Sequence, residues 1–503
     1  MTLRELVAGA ADLGVAVHGD AEVDVRGVSA DSRAVAPGDL FVALPGTRTD
    51  GARFVAEACA RGAVAVAGTP GLAVPAGVAL VATTDPCRLA ARLAARIHGD
   101  PTAVLTMVGV TGTNGKTTVT YLLEAIWRAA GARPGVLGTI SYRFGGAAEP
   151  APLTTPPAPE LFARLAGMRA GGATHVAMEV SSHALAQGRA DGIAWDAAVF
   201  TNLGRDHLDF HRDEDDYFEA KARLFAALDA SPKPVRVAVL NAADVRSADL
   251  RRRTKTPVVT FGAGGDVVAG EVAMALDGTR ASLRLGGAWH AVRTRLVGGG
   301  HLENVLAAAA TAHALGAAPA VIVRALADFP GVPGRLEAVP SDAGFGVLVD
   351  YAHTADALAG VLGSLRALVP GRLVCVFGCG GDRDRGKRPL MGEAVGRHAD
   401  LAVLTSDNPR TEDPLAIIAD AEPGLARAGL GRVAALAGAD RGYVVEPDRA
   451  GAIATAIAAA RRGDCVLIAG KGHEDYQIVG TTRRPFDDRD AARAALGARA
   501  VRA

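Results

Sequence analysis

At 503 residues, almost half of them apolar, the chain is too long for a single core and long enough to bury several. Lys and Arg together number 54, as do Asp and Glu, so no global field draws the protein to nucleic acid or to a membrane surface. The five cysteines, Cys59, Cys87, Cys375, Cys379 and Cys465, are scattered, which argues against a disulfide framework and for a reducing compartment.

The first unit is expected over residues 1–102. Its start lacks the charged-then-apolar pattern of a secretory signal, and no uncharged apolar run in the chain is long enough to span a bilayer. A soluble, cytoplasmic protein without membrane insertion is therefore expected. Val23–Ser29 alternates as a strand does, Pro37-Gly38 turns into a strand over Asp39–Leu44, and Ala52–Arg61 reads as a helix. A short buried strand, Ala63–Ala67, precedes the Pro/Gly-rich segment 68–77, and a further helix ends near His98. Asp100-Pro101 marks the boundary. The loop from Pro45 to Gly51, with Thr47, Arg48 and Thr49, offers hydroxyls, a guanidinium and backbone amides to an anion.

A second unit is expected over 103–334. The apolar run Ala103–Val108 leads into a Gly/Thr-rich loop, Gly109–Thr118, and Val119–Trp127 reads as a helix. Strand, glycine-rich loop and helix together make a phosphate-binding loop, in which backbone N–H groups and the helix N-terminus cradle an anion. Lys116 would reach the β- and γ-phosphates of an NTP, and the Thr117 hydroxyl would ligate Mg²⁺. Val110 stands where the literal pattern has its first glycine, so the loop is a variant bracketed by Gly109 and Gly112. Beyond it, Thr154 and Thr155 precede a helix start, and His175–Glu179 reads as a buried strand ending in a carboxylate. The strand Ala197–Leu203 runs into a segment carrying His207. Ligands of open parallel sheets gather outside the carboxyl ends of strands, which puts Glu179 and His207 on the side of Lys116 and Thr117. A helix over Tyr217–Phe225 carries Lys221, Val237–Asn241 is another strand, and His301–Asn304 opens an Ala-rich helix.

The Pro/Gly turn Pro330–Arg335 begins the third unit, 335–503. Strand-like runs at Gly346–Asp350, Arg372–Phe377, Leu401–Thr405 and Asp464–Ala469 alternate with helical runs, the pattern of a doubly wound α/β sheet. Cys375 and Cys379 lack a second Cys/His pair at finger spacing and read as small buried hydrophobes.

Eight segments, in this order, resemble the Mur ligases, the ATP-dependent amide ligases of peptidoglycan synthesis. They are Gly112–Thr118, Glu179–His183, Thr201–Asp209, His301–Asn304, Pro333–Glu337, Asp350–His353, Asp407–Arg410 and Gly470–Glu474. The resemblance spans essentially the whole chain. It implies a three-domain α/β fold: an N-terminal domain for the UDP of a nucleotide sugar, a central P-loop ATPase-like parallel sheet, and a C-terminal Rossmann-like domain for the incoming amino acid. It also implies the reaction. A substrate carboxylate attacks the ATP γ-phosphate, an amine captures the acyl phosphate, and a tetrahedral intermediate collapses to amide and phosphate.

Residue by residue, the resemblance places Gly112, Thr113, Asn114, Gly115, Lys116, Thr117, Thr118, Asn304, Arg335, Asp350 and His353 at ATP. Thr117, Glu179, His207 and Lys221, the last as a carbamate, would serve Mg²⁺, with Lys116, His207 and Lys221 catalytic. Ser32, Thr47, Arg48, Thr49, Thr154, Thr155, Ser181, Gln187 and Arg189 match contacts to UDP-MurNAc-L-Ala-D-Glu. Arg383, Asp407, Asn408, Pro409, Arg410, Gly470 and Glu474 match the amino-acid site. The form Asp407-Asn408-Pro409-Arg410 is similar to that of members that add meso-diaminopimelate. A guanidinium grips the distal carboxylate of that substrate with two parallel hydrogen bonds, whereas L-lysine would leave Arg410 unpaired. Three departures stand out: Pro156-Pro157 after Thr155, Ala355 in place of a proline, and Leu336 where Met is frequent. None removes a reacting group.

The alternatives are an L-lysine-adding ligase, a folylpolyglutamate synthetase, and a P-loop regulator that hydrolyses ATP without ligating. About a hundred residues of additional N-terminal domain and Arg410 disfavour the second. An amino-acid clamp disfavours the third. A monomer with three small-molecule substrates and domain closure during turnover is expected.

Overall fold

The computed structural model describes residues 1–46 and 50–502. Thr47, Arg48 and Thr49 therefore lie outside the described residues. The chain forms two compact units. One comprises Met1–Ala269, Leu283–His290 and Asn304–Ala325; the other comprises Gly270–Ser282, Ala291–Glu303 and the chain from Leu326 onward.

The first unit holds two sheets. The smaller runs in the order Ala16–His18, Ala79–Ala82, Ala65–Gly68, Asp39–Val42, Gly27–Ser29, and is parallel except for its first strand. Three sequence expectations shift here. The strand expected from Val23 begins at Gly27, because the backbone of Val23 and Val25 bonds to Leu3 and Met1 instead. The helix expected from Ala52 starts as a 3₁₀ turn, Gly51–Phe54, capped by Asp50, before Val55–Ala60 turns α-helical. The strand expected at Ala63 begins at Ala65.

The larger sheet has eight strands, ordered Val258–Phe261, Val237–Asn241, Ala197–Phe200, Thr106–Thr111, His175–Glu179, Pro134–Leu137, Ser141–Phe144, Ala147–Pro150. The first six are parallel and the last two form an antiparallel extension. Both faces are covered, so its central strands read as continuous apolar runs: Val108, Val110, Val176, Ala198 and Val199 are all buried. The helix Lys116–Ala129 buries Val119, Leu122, Leu123 and Ile126, the i, i+3, i+4, i+7 stripe of a helix lying on a sheet. Gly109 matters for the opposite face. A Cβ there would lie 3.0 Å from Leu224 and 3.1 Å from Trp195, so its absence lets the helix Glu214–Asp229 press onto the strand.

The second unit is built on a six-stranded sheet ordered Glu337–Ala338, Gly346–Asp350, Cys465–Ala469, Leu373–Cys379, Leu401–Ser406, Gly442–Val445. All pairs but the first are parallel. Cores lie on both faces, one around Leu358, Leu362, Phe377 and Ile417, the other around Val374, Val403, Ile453 and Ile468. Cys375, Cys379 and Cys465 are buried within this sheet, and burial pushes all three thiols up, Cys379 and Cys465 to about 12. No helix among the described residues is long and apolar enough to cross a membrane.

Candidate active site

The strand Thr106–Thr111 delivers a loop whose two glycines have no substitute. Gly112 has φ 145° and Gly115 has φ 89°. A Cβ on the first would fall 1.9 Å from Thr201 Oγ1, and one on the second 2.2 Å from Asn304 Oδ1. The loop is pinned from the neighbouring strand end: Thr113 N–H donates to Asn202 O, Asn114 N–H to Asn202 Oδ1, and Thr201 Oγ1 to the Asn114 carbonyl at 2.6 Å. Lys116 Nζ folds back on this frame, donating to Gly112 O at 2.8 Å and Thr113 O at 2.9 Å. Thr118 is buried behind it.

One residue on, Thr117 Oγ1 donates to Glu179 Oε2 at 3.0 Å. Glu179, buried at the end of its strand, also accepts from Thr139, at 2.9 Å from both the backbone N–H and the hydroxyl. Thr139 in turn lies 3.1 Å from Thr154 Oγ1. Thr155 is fully buried: its hydroxyl donates to the Glu179 carbonyl and accepts from Ser181 N–H, and its carbonyl accepts from Arg189. Ser181 caps the short helix Ser182–Ala186, and Gln187 follows that helix. Thr154, Thr155, Ser181 and Arg189 are thus linked around Glu179. Ser32, buried in the N-terminal part of the same unit, donates to Glu57 at 3.0 Å.

Lys221 is buried on the helix that Gly109 admits, its ammonium 4.0 Å from the Tyr217 ring centroid. Burial drives its pKa well below the ordinary lysine value. The charge of Lys116 pushes the same way, and Asp206 opposes both. Tyr217 ties this position to the phosphate loop, its hydroxyl 3.2 Å from Thr113 Oγ1. His207 follows the strand Ala197–Phe200 in the left-handed region at φ 55°, with Nε2 3.5 Å from Asp206 and its ring 4.8 Å from that of His183. Desolvation lowers the His207 pKa, which Asp206 partly opposes. The phosphate loop therefore gathers a hydroxyl, a carboxylate, an imidazole and a buried amine. Thr117 and Glu179 are hard oxygen donors of the kind Mg²⁺ takes, and Mg²⁺ usually keeps few protein ligands. Among the described residues no group of three His, Cys, Asp or Glu could hold a metal alone.

In the second unit, the remaining residues other than Arg335 lie at or follow the ends of four adjacent parallel strands, Gly346–Asp350, Cys465–Ala469, Leu373–Cys379 and Leu401–Ser406. Asp350 accepts from Leu336 N–H at 2.7 Å and Ala352 N–H at 2.8 Å, and burial raises its pKa. Arg335 lies over the Tyr351 ring at 4.6 Å, and His353 Nδ1 is 2.8 Å from the Tyr351 carbonyl. Gly334 has φ 64°, and a Cβ there would reach 2.0 Å from His473 N, so the two segments touch through backbone.

Asp407, Asn408, Pro409 and Arg410 follow the strand Leu401–Ser406. Gly381 N–H donates to the Asn408 carbonyl, and Arg410 Nη1 donates to the Gly381 carbonyl at 2.7 Å, so the Arg383-bearing loop is fastened to the clamp. Arg383 itself is exposed. Gly470 has φ 117°, and a Cβ there would lie 2.6 Å from Asp407 Oδ2. Asn408 Nδ2 donates to Glu474 at 3.0 Å, bringing that carboxylate into the same cluster. Sequence reasoning singled out neither Thr139, Asn202, Tyr217 and Lys471, which touch the expected residues, nor Arg449. Arg449 is buried against Asp488 and donates to the Ala469 carbonyl, directly before Gly470. Asn202 and Lys471 carried a signal, their places inside Thr201–Asp209 and Gly470–Glu474.

A parallel sheet, a glycine loop running into a helix that opens with lysine, and a buried carboxylate on the adjacent strand define a phosphate-loop α/β protein. Comparison with known proteins narrows the class. Residues 110–312 match the Mur ligase middle domain, residues 334–472 the Mur ligase glutamate ligase domain, and residues 24–97 the Mur ligase family catalytic domain. UDP-N-acetylmuramoyl-L-alanyl-D-glutamate–2,6-diaminopimelate ligase of Geobacter metallireducens is 47% identical over 486 residues, covering 95% of each chain. The protein of the same name from Streptomyces coelicolor is 45% identical, over 96% of this chain and 94% of its own. A solved structure of a ligase of that name superposes with a TM-score of 0.71 at 33% identity, over 99% of both chains. The chain belongs to the Mur ligase family.

Proposed function

We propose that the protein joins meso-2,6-diaminopimelate to UDP-MurNAc-L-Ala-D-Glu at the expense of ATP. The observation that carries this reading is the Asp407–Arg410 clamp with Glu474 hydrogen-bonded to Asn408, in a chain 47% identical to a 2,6-diaminopimelate ligase. Arg410 would pair with the distal carboxylate of the amino acid, with Arg383 beside it, Glu474 would take the distal ammonium, and Asp407 and Gly470 would shape the floor. The domains expected at 1–102, 103–334 and 335–503 would take the nucleotide sugar, ATP and the amino acid in turn.

In the first step a carboxylate oxygen of the dipeptide attacks the γ-phosphorus and ADP leaves. In the second, the amine attacks the acyl carbon, the C–O bond to phosphate breaks, and the nitrogen loses a proton. Phosphoryl transfer between two anions needs cations where charge accumulates. Lys116 supplies one by leaving the Gly112 and Thr113 carbonyls for the phosphates. Residues Gly112–Gly115 wrap the phosphate chain with backbone N–H groups, and Thr118, Asn304, Arg335, Asp350 and His353 complete the nucleotide contacts. Thr117, Glu179 and His207 would hold Mg²⁺, which neutralises phosphate charge when bound. Lys221, whose pKa burial lowers, would take up CO₂ at Nζ with loss of a proton, and its carbamate would present a carboxylate-like group on the metal side. Thr154, Thr155, Ser181, Gln187 and Arg189 would position the dipeptide, and Ser32 with Thr47–Thr49 the UDP. We place the protein in the cytoplasm and as a monomer, with no nucleic-acid partner.

The test is a panel of amino acids offered with ATP and the UDP-dipeptide and scored by product mass. The reading expects one product, with the mass of added diaminopimelate less water. A product only with L-lysine would favour the lysine-adding ligase, and phosphate release without any product the regulator.

A further inference from the structure

The amino-acid clamp contains a buried cation that the substrate contacts proposed above leave without a task. Lys471 lies in the loop after the strand Cys465–Ala469, its side chain wholly shielded from solvent. Its ammonium donates to Glu474 Oε2 at 2.9 Å and to Asn408 Oδ1 at 3.3 Å, and lies 5.3 Å from the Tyr476 ring centroid. Asn408 is fixed from a second direction: its Oδ1 also accepts from Ile478 N–H at 2.8 Å, which leaves Nδ2 to donate to Glu474 Oε2 at 3.0 Å. Two donors therefore converge on one oxygen of Glu474. Among the described residues no hydrogen bond engages Oε1, and the side chain is 17% exposed.

The backbone enforces this pairing. Glu474 N–H donates to the Lys471 carbonyl, closing a turn around Gly472, whose φ is 54°. A Cβ at Gly472 would fall 2.7 Å from Gly334 O and from Tyr351 Cβ, so the turn cannot relax toward a bulkier residue. Burying an ammonium is costly unless its hydrogen bonds return the loss, and the side-chain bonds it makes go to two clamp residues. An apolar side chain would fill the same volume without that penalty, so the charge itself has to act.

We infer that Lys471 is a positioning residue of the amino-acid site: together with Asn408 it holds one oxygen of Glu474 so that the other is presented to the distal ammonium of diaminopimelate. This rests on the functional reading above. A carboxylate held by an amide alone turns about its last torsion, whereas one held by an ammonium and an amide on the same oxygen keeps a single orientation. The consequence is selectivity for a substrate bearing an amine beside its distal carboxylate, in addition to the carboxylate that Arg410 takes.

The experiment compares kcat and KM for the full-length protein and for Lys471→Met, Lys471→Gln, Glu474→Gln and the Lys471→Met/Glu474→Gln double variant. Two amino acids are used: meso-diaminopimelate, and 2-aminopimelate, which keeps both carboxylates and lacks the distal amine. Lys471→Met is expected to raise the diaminopimelate KM about ten- to a hundredfold while the KM for ATP and for the UDP-dipeptide stay within about twofold. Turnover of 2-aminopimelate should barely change, so the preference between the two amino acids collapses. Lys471→Gln, which keeps a donor, should restore part of it, and the double variant should match Glu474→Gln alone. Should Lys471→Met lose its thermal transition, the same ratio is read from Lys471→Gln. An unchanged or lowered diaminopimelate KM, a parallel rise in all three KM values, or additive single effects would overturn the inference. A wild-type protein that does not ligate diaminopimelate at all would overturn the functional reading itself, and the inference with it.

Discussion

Thr117 and Glu179 meet at 3.0 Å, hydroxyl to carboxylate, between the first turn of the helix Lys116–Ala129 and the end of the strand His175–Glu179. The contact sets a residue of the phosphate loop against the end of the neighbouring strand, with Thr139 holding the carboxylate from the other side. Glu179→Gln keeps the shape and one acceptor oxygen but removes the charge. It should lower kcat about a hundredfold or more and shift half-saturation by Mg²⁺ upward, because a hard anionic donor has been lost. A Mg²⁺ titration of phosphate release checks this; an unshifted midpoint would remove Glu179 from the metal side.

Lys221 should be required for turnover and costly to stability. Its folded-state pKa lies well below 10.5, so the unfolded chain holds the proton more tightly and stability rises with pH through that interval. Lys221→Met should therefore be more stable than wild type at neutral pH in CO₂-free buffer, by a margin that shrinks as pH climbs toward about 10. Each 1 kcal/mol gained corresponds to a rise of about 1–2 °C in the midpoint for a unit of this size. Lys221→Ala should be inactive and partly rescued by short carboxylates or high bicarbonate. Full activity without rescue would make Lys221 an ordinary buried residue.

Arg410 separates a specificity role from a structural one. It sits at φ 52°, where a glycine is at ease and an arginine is not. Arg410→Gly should shift the thermal midpoint little, relief of the positive φ offsetting the lost bond to the Gly381 carbonyl, while raising the diaminopimelate KM about ten- to a hundredfold with ATP binding unaffected. Isothermal titration with each substrate decides between them.

Gly115→Ala should weaken both the fold and ATP binding. The added methyl would meet Asn304 Oδ1 at 2.2 Å in a backbone with φ 89°. A cost of about 1–3 kcal/mol is expected, together with a rise in the ATP KM. An ATP KM equal to wild type would mean that the loop does not need this turn.

The phosphate loop and the motif order were legible because glycines at fixed offsets and apolar strands leave local marks. Other features were not. The strands Ala16–His18 and Ala79–Ala82 have three and four residues, too short for a period to emerge. Burial of Lys221 depends on Gly109, more than a hundred residues away, having no side chain to hold the helix off. The role of Thr139 arises only because two parallel strands end side by side. Each of these is a tertiary fact, and no window of sequence contains it.

The central claim is that a carboxylate becomes reactive by taking a phosphoryl group before an amine captures it. The direct measurement supplies UDP-MurNAc-L-Ala-D-Glu with ¹⁸O in its glutamate carboxylates, together with ATP and diaminopimelate, and reads the released phosphate by mass. The account predicts one ¹⁸O carried into phosphate for each amide formed. Amide formation with unlabelled phosphate would contradict it.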